Sequence, residues 1–303
     1  LTLESGGDVE LGVVAASGVA ISADGLINIA QVDTSGDLVL TQSSGVQLGA
    51  VSASDVSISS EGEVNVDAVD ATGDLLVSQA GSVSLGAGPM PMVAAASIDI
   101  TAQRDVSVAT SGAGPVSINS SQGDIEVIST AGLDLAEVRT QGNNASINIQ
   151  AKESIRLAAV ATQSRTNGVV SIRTAEGSIQ ASRDLGAAVN GEGDVTSGSI
   201  NLDSPFGQVG TFVRPILINT GSAATILNAQ PFVSGQGATP APVVTGGVLG
   251  SSALDVASSS GLSSAVQTMI DTLADIDPGV FKNDELVERD STSLALPDSQ
   301  QSE

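Results

Sequence analysis

Aspartate and glutamate are the abundant side chains here that could move protons or hold a cation, and they set the range of chemistry to consider. The chain has 34 of them against 10 Lys and Arg, with no His and no Cys. Ser–His and Cys–His nucleophile pairs, and metal centres built on His, therefore cannot be assembled. Carboxylate pairs remain. Asp67 with Asp70, and Glu61 with Glu63, are close enough in sequence for acid–base work. Asp33 with Asp37, or Asp67 with Asp70, could supply oxygen ligands to calcium at a turn. Gly191-Glu192-Gly193-Asp194 echoes the Gly-Gly-x-Gly-x-Asp unit of calcium-loaded β-rolls once, without the periodicity that follows there. No Gly-rich turn leads into a Lys-bearing helix, so a phosphate loop has no support. Asn119-Ser120-Ser121 and Asn144-Ala145-Ser146 match the glycosylation acceptor pattern, which a chain this rich in Ser contains by chance. These residues nominate no catalytic, cofactor-binding or metal site. The chain is expected not to be an enzyme, with calcium the one cofactor left open.

Composition narrows the classes further. The formal net charge is −24, and no Lys or Arg precedes Arg104. A nucleic-acid partner needs clustered cations, so that class is excluded, and the same absence argues against electrostatic docking to an anionic membrane. An acidic surface keeps a strand-rich particle soluble by self-repulsion, and divalent-cation binding is the alternative use of the charge. No apolar run reaches the roughly 18 residues a membrane span requires, so no membrane insertion is expected. Lack of Cys fits a secreted bacterial chain. Leu1 falls inside the repeat pattern, with no initiator Met or signal peptide, which reads as the C-terminal part of a longer precursor. With no Trp or Tyr and only Phe206, Phe212, Phe232 and Phe281, the apolar material is Val, Ile, Leu and Ala. That suits many thin, similar layers better than one thick core.

The layers are visible as apolar–x–apolar triplets, commonly introduced by Gly-Asp, Gly-Ser or Ser-Asp. They run Val19-Ala20-Ile21, Ile27-Asn28-Ile29, Leu38-Val39-Leu40, Val46-Gln47-Leu48, Val56-Ser57-Ile58, Val64-Asn65-Val66, Leu75-Leu76-Val77 and Val83-Ser84-Leu85. Short and long steps between triplet starts alternate, so the true repeat is their sum, about 18–19 residues. Val14, Val32, Val51 and Val69 keep that period as a third station. The outer members of a triplet face inward and the middle one outward, because alternate strand residues point to opposite faces. The reading is an all-β parallel β-helix, a solenoid with three short strands in each such coil. About ten coils at about 4.8 Å each would give a rod on the order of 50 Å. Three stretched gaps, residues 86–97, 136–145 and 158–169, are expected as loops emerging from one edge.

After Ser204 the sequence changes character. The expected divisions are β-helix repeats over 1–204, a terminal coil or cap over 205–229 and a Pro/Gly/Ser-rich linker over 230–261. A C-terminal helix and turn over 262–281 follow, then an acidic disordered tail over 282–303. Leu262, Val266, Met269, Ile270 and Leu273 make the helix amphipathic, and Pro278 stops it. Its stripe could dock on the end of the coil stack or bind another protein.

The Gly-Asp-φ-x-φ repeats resemble those of the filamentous haemagglutinin-like adhesins over about residues 1–205. Gly207-Gln208-Val209-Gly210-Thr211 through Pro215-Ile216-Leu217-Ile218-Asn219 resembles that family's repeat-exit segment. Asp277-Pro278-Gly279-Val280-Phe281 and Leu294-Ala295-Leu296-Pro297-Asp298 resemble the C-terminal stretches of some repetitive members. The resemblance implies a right-handed β-helix, secretion through an outer-membrane transporter, and an extracellular or outer-cell-surface location. It also implies adhesion to a host, bacterial or abiotic surface. No Arg-Gly-Asp tripeptide occurs, and neither a secretion domain nor a membrane-barrel domain is found, so the receptor stays open. The expected function is a structural and adhesive stalk segment. Two rivals are a carbohydrate-active β-helix enzyme of lyase or hydrolase type, and a calcium-dependent extracellular binding module.

Overall fold

Each apolar triplet is a strand with its two outer side chains turned to a shared interior. Val19 and Ile21, Ile27 and Ile29, Leu38 and Leu40, and Val56 and Ile58 are all buried, while the residues between them are not. The computed structural model describes residues 1–86, 92–182, 194–211, 215–227, 233–235 and 243–245. The chain divides into two units, Leu1–Ser260 and Gly261–Glu303, and the second lies outside the described residues. The expected helix, its apolar stripe and the acidic tail therefore lie outside them as well. Among the described residues there is no helix, and hence none long and apolar enough to cross a membrane.

The first unit is a parallel β-solenoid of about ten turns. One face is built from the strands Thr2–Ser5, Val19–Ala23, Leu38–Ser43, Val56–Ser60, Asp74–Ala80, Ser97–Ala102 and Pro115–Ser120, each paired in parallel with the next. The intervening strands Val9–Ala16, Leu26–Thr34, Gly45–Ala53 and Glu63–Ala71 each supply two faces. Inward alternation fails once in each of the last three, where Ala30-Gln31, Gly49-Ala50 and Asp67-Ala68 are two successive residues that are not buried. A strand that skips one inward step has turned a corner. After that corner Val32, Val51 and Val69 face inward again. The three stations per coil are thus real, although the second and third share one continuous strand.

The interior is mostly aliphatic, with buried Ser and Thr among the inward residues. Phe206, the one Phe among the described residues, is 83% exposed. Burial of a Val, Leu or Ile side chain contributes roughly 1.5–3 kcal/mol, and a single coil cannot achieve it because its inward residues are covered only by the coils above and below.

The regular spacing gives way after Ser120. The ladder of Pro115–Ser120 splits over Leu133–Thr140 at a register shift between Val116 and Ser117. The first half of Leu133–Thr140 continues to Ile155–Leu157 and Ile179–Ala181, and the second half to Val160–Thr162 and Val195–Asp203. Stacked partners then stand farther apart along the chain, with Leu133 paired to Ile155 and Ile155 to Ile179. The stretched gaps are consequently not simple loops. Met92–Ala95, the second half of Leu133–Thr140, and Val160–Thr162 are strands within them, each anchored by one buried Val: Val93, Val138 and Val160. A lone apolar residue satisfies no triplet, which is why the gaps read as insertions.

The stack runs on beyond Ser204. Ile216–Leu227 pairs along Val195–Asp203, and Val233–Gly235 and Val243–Thr245 pair with Ile216–Leu227. The last two lie in the stretch whose composition reads as linker.

Candidate functional site

Several of the Asp residues that introduce the triplets, whether after Gly, Ser or Arg, have a defined task. The Asp55 carboxylate accepts the Asp74 N–H of the next coil at 2.8 Å, and Asp74 in turn accepts the Ser97 hydroxyl at 2.7 Å. Asp105 accepts the Asp124 N–H at 2.9 Å and Asp124 the Ser146 N–H at 2.7 Å. Asp8 does the same for Leu26, and Ser154 and Ser178 replace the carboxylate higher up. The glycine is needed because the carboxylate below sits where its side chain would be. A Cβ on Gly73 would lie 1.9 Å from the Asp55 carboxylate. Part of the acidic charge is therefore committed to joining coils.

Hydroxyls do the equivalent work at more than one corner of the coil. Ser60 donates to the Ser43 carbonyl one coil below and accepts the Gly62 N–H. Thr110 donates to Val93 O and accepts from Gly112 N–H, and Thr140 donates to Gly123 O and accepts from Gly142 N–H. All three are buried. The sequence carries this as Ser/Thr-x-Gly, a pattern that could have been found by extending the triplet search beyond apolar residues.

The residues singled out for chemistry are spread around the coil. Asp67 occupies a corner, and Asp70 lies on the outer side of the following face. Ser52 is in register with both Asp33 and Asp70, so those two carboxylates are two coils apart. Glu61 and Glu63 flank a turn and are exposed. Gly191, Glu192 and Gly193 lie outside the described residues. Asp194 is buried, and its carboxylate accepts the Leu217 N–H at 2.9 Å, another bond between coils. Among the described residues no group of three Asp or Glu is placed to hold a metal ion. In the two glycosylation patterns the acceptors Asn119 and Asn144 are both exposed, and the Asn144 side-chain oxygen accepts from the Asn167 amide.

Ion pairs also tie coils together on the outer surface. Arg156 stands in register with Asp134 at 3.7 Å, and Arg173 with Asp203 at 3.3 Å, while Arg139 pairs with Glu137 on its own strand.

Concavities on the outer surface of the described residues include the following two. One, of about 370 Å³, has the carboxylates Glu63, Asp105, Asp124 and Glu126 around Ser84 and Ser107. Asp105 and Asp124 are the coil-joining groups already described, and Glu126 accepts the Asn148 amide at 3.4 Å. The other, of about 400 Å³, gathers Gln42, Gln79, Ser43, Ser59, Asp24 and Glu61 at one corner of the stack.

Comparison with known proteins gave no matching family model, no matching curated protein and no matching solved structure. The class of the first unit rests on its own geometry: it is a parallel β-solenoid.

Proposed function

We propose that this chain is a structural and adhesive stalk segment of a secreted bacterial surface protein, one that mediates attachment to cells or surfaces. The observation that carries the reading is the unbroken coil-to-coil connection. Backbone ladders, Asp caps and corner hydroxyls all run along the stacking direction, so a load entering one coil passes to the next through many parallel bonds. The acidic outer surface prevents such stacks from aggregating edge to edge. The resemblance to filamentous haemagglutinin-like adhesins supplies the biological setting: export through an outer-membrane transporter to the cell surface.

Beads coated with the protein and held on cultured cells, bacterial lawns and bare polymer under flow test the proposal. Retention on at least one of them above beads carrying an unrelated acidic protein is expected, and no retention on any would overturn it. Release of reducing ends from polysaccharides, lost on changing one carboxylate, would replace the reading with an enzyme. A large rise in melting temperature with calcium but not magnesium would favour a calcium-dependent module.

A further inference from the structure

Two non-glycine residues, Gln42 and Gln79, hold positive φ angles of 60° and 57°. Such backbone is uncommon outside glycine. Both lie on the same face, in alternate coils, and both are extra residues. Leu40 pairs with Ile58 and Ser43 with Ser60, so Thr41-Gln42 oppose Ser59 alone. Ile100 pairs with Val77 and Ala102 with Ala80, so Ser78-Gln79 oppose Thr101 alone. A bulge of this kind re-aims a side chain, and here the same one is re-aimed twice.

The arrangement is also repeated in sequence. Ile21-Ser22 and Ile58-Ser59, Gly36-Asp37-Leu38 and Gly73-Asp74-Leu75, and Gln42 and Gln79 recur at an offset of two coils. Ser22 donates to the Gln42 side-chain oxygen at 2.8 Å, and Ser59 to that of Gln79 at 3.3 Å. The unbulged coil between the two glutamines leaves the 400 Å³ groove, floored by Ser59 and walled by Gln42 and Gln79, with Asp24 and Glu61 beside them. Ser43 is among its lining residues, and the buried Ser43 hydroxyl has no hydrogen-bond partner.

We propose that this groove binds a short neutral oligosaccharide, and that it is a contact point for the attachment function, on which this inference rests. Each glutamine oxygen already accepts one bond from a serine, so each amide offers a ligand chiefly its N–H groups, with one lone pair left on the oxygen. Asp24 and Glu61 accept hydrogen bonds, and the Ser and Thr hydroxyls do either. A ligand must then present donors and acceptors together, and the carboxylates of Asp24 and Glu61 disfavour a negatively charged one, with the Arg104 guanidinium beside Gly81 as the neighbouring cation. Linked pyranose rings do so. A bare metal ion does not match, because the amide nitrogens would face it. The groove crosses four coil edges, roughly 14 Å at the ordinary inter-strand spacing, room for a short run of rings. With no aromatic ring to stack on, each site is weak, and many copies on a surface supply the avidity.

Titration of ¹⁵N-labelled protein with cellotetraose, chitotetraose, maltotetraose and tetragalacturonate tests this. Saturable shifts of the Gln42 and Gln79 side-chain amides are expected with at least one of the three neutral sugars and none with the uronate. Gln42→Gly and Gln79→Gly keep the positive φ without strain, so both variants should melt no lower than the parent and bind at least tenfold more weakly. Absence of saturable shifts with all three neutral sugars, shifts only outside the groove, or unchanged binding by both variants would overturn the proposal. The bead assay separates the two readings. Attachment that survives in the double variant keeps the stalk and rejects this groove, whereas sugar binding by beads that never attach rejects the stalk alone.

Discussion

Asp55 illustrates how a single side chain serves this fold. Its carboxylate meets the Asp74 N–H, and Gly73 leaves the space for it. Asp55→Ala should cost about 1 kcal/mol, the scale of a lost capping residue, and speed hydrogen exchange at the Asp74 amide specifically. Asp55→Asn retains an acceptor and should cost less. Ile58 is fully buried between coils, so Ile58→Ala should cost about 2–5 kcal/mol, read from the denaturation midpoint. The Gly-Asp pairs stood out in the sequence as turn residues, and their side-chain role did not. A turn preference is local, while the cap depends on which residue lies one coil away. Gln42 and Gln79 were invisible for a related reason: nothing in a lone Gln marks positive φ, and only the paired register shows two residues facing one.

At the scale of the coil, the interior was legible because each triplet records one face directly. The third station was legible too, through Val14, Val32, Val51 and Val69. Legibility fell after Ser120, where stacked partners drift apart along the chain and faces are held by single residues such as Val138 and Val160. The strands Val233–Gly235 and Val243–Thr245 were hidden by flanking Pro, Gly and Ser, since pairing with a ready edge outweighs local composition. Because coils contact only their neighbours, removal of a whole repeat should be tolerated. Deletion of residues 27–63 joins Leu26 to Val64 in the same station and leaves Ser22 below Gln79. It should preserve the β-type circular dichroism and cooperative melting. Deletion of residues 27–35 alone puts inward side chains outward and should abolish both.

Over the whole chain, charge is divided unevenly. Thirteen carboxylates and no cation precede Arg104, whereas residues 104–182 carry seven carboxylates and six cations. Repulsion should therefore weaken the early coils most at low ionic strength. Raising salt from about 0.01 M to about 0.5 M, which shortens the screening length from about 30 Å to a few Å, should slow exchange in residues 1–86 more than in residues 115–182. The faces, the caps and the groove all depend on the coil-to-coil register. Ser57 and Leu76 are register partners on the outer surface of adjacent coils, about 4.8 Å apart, and the chain contains no cysteine to interfere. A Ser57→Cys, Leu76→Cys double variant should oxidise quantitatively to one intramolecular disulfide, located by peptide mass mapping, with the fold retained. Failure of that bond to form in the folded protein, while Ser57→Cys joins readily to a cysteine placed at Gln47 or Asn65 instead, would contradict the stacked solenoid.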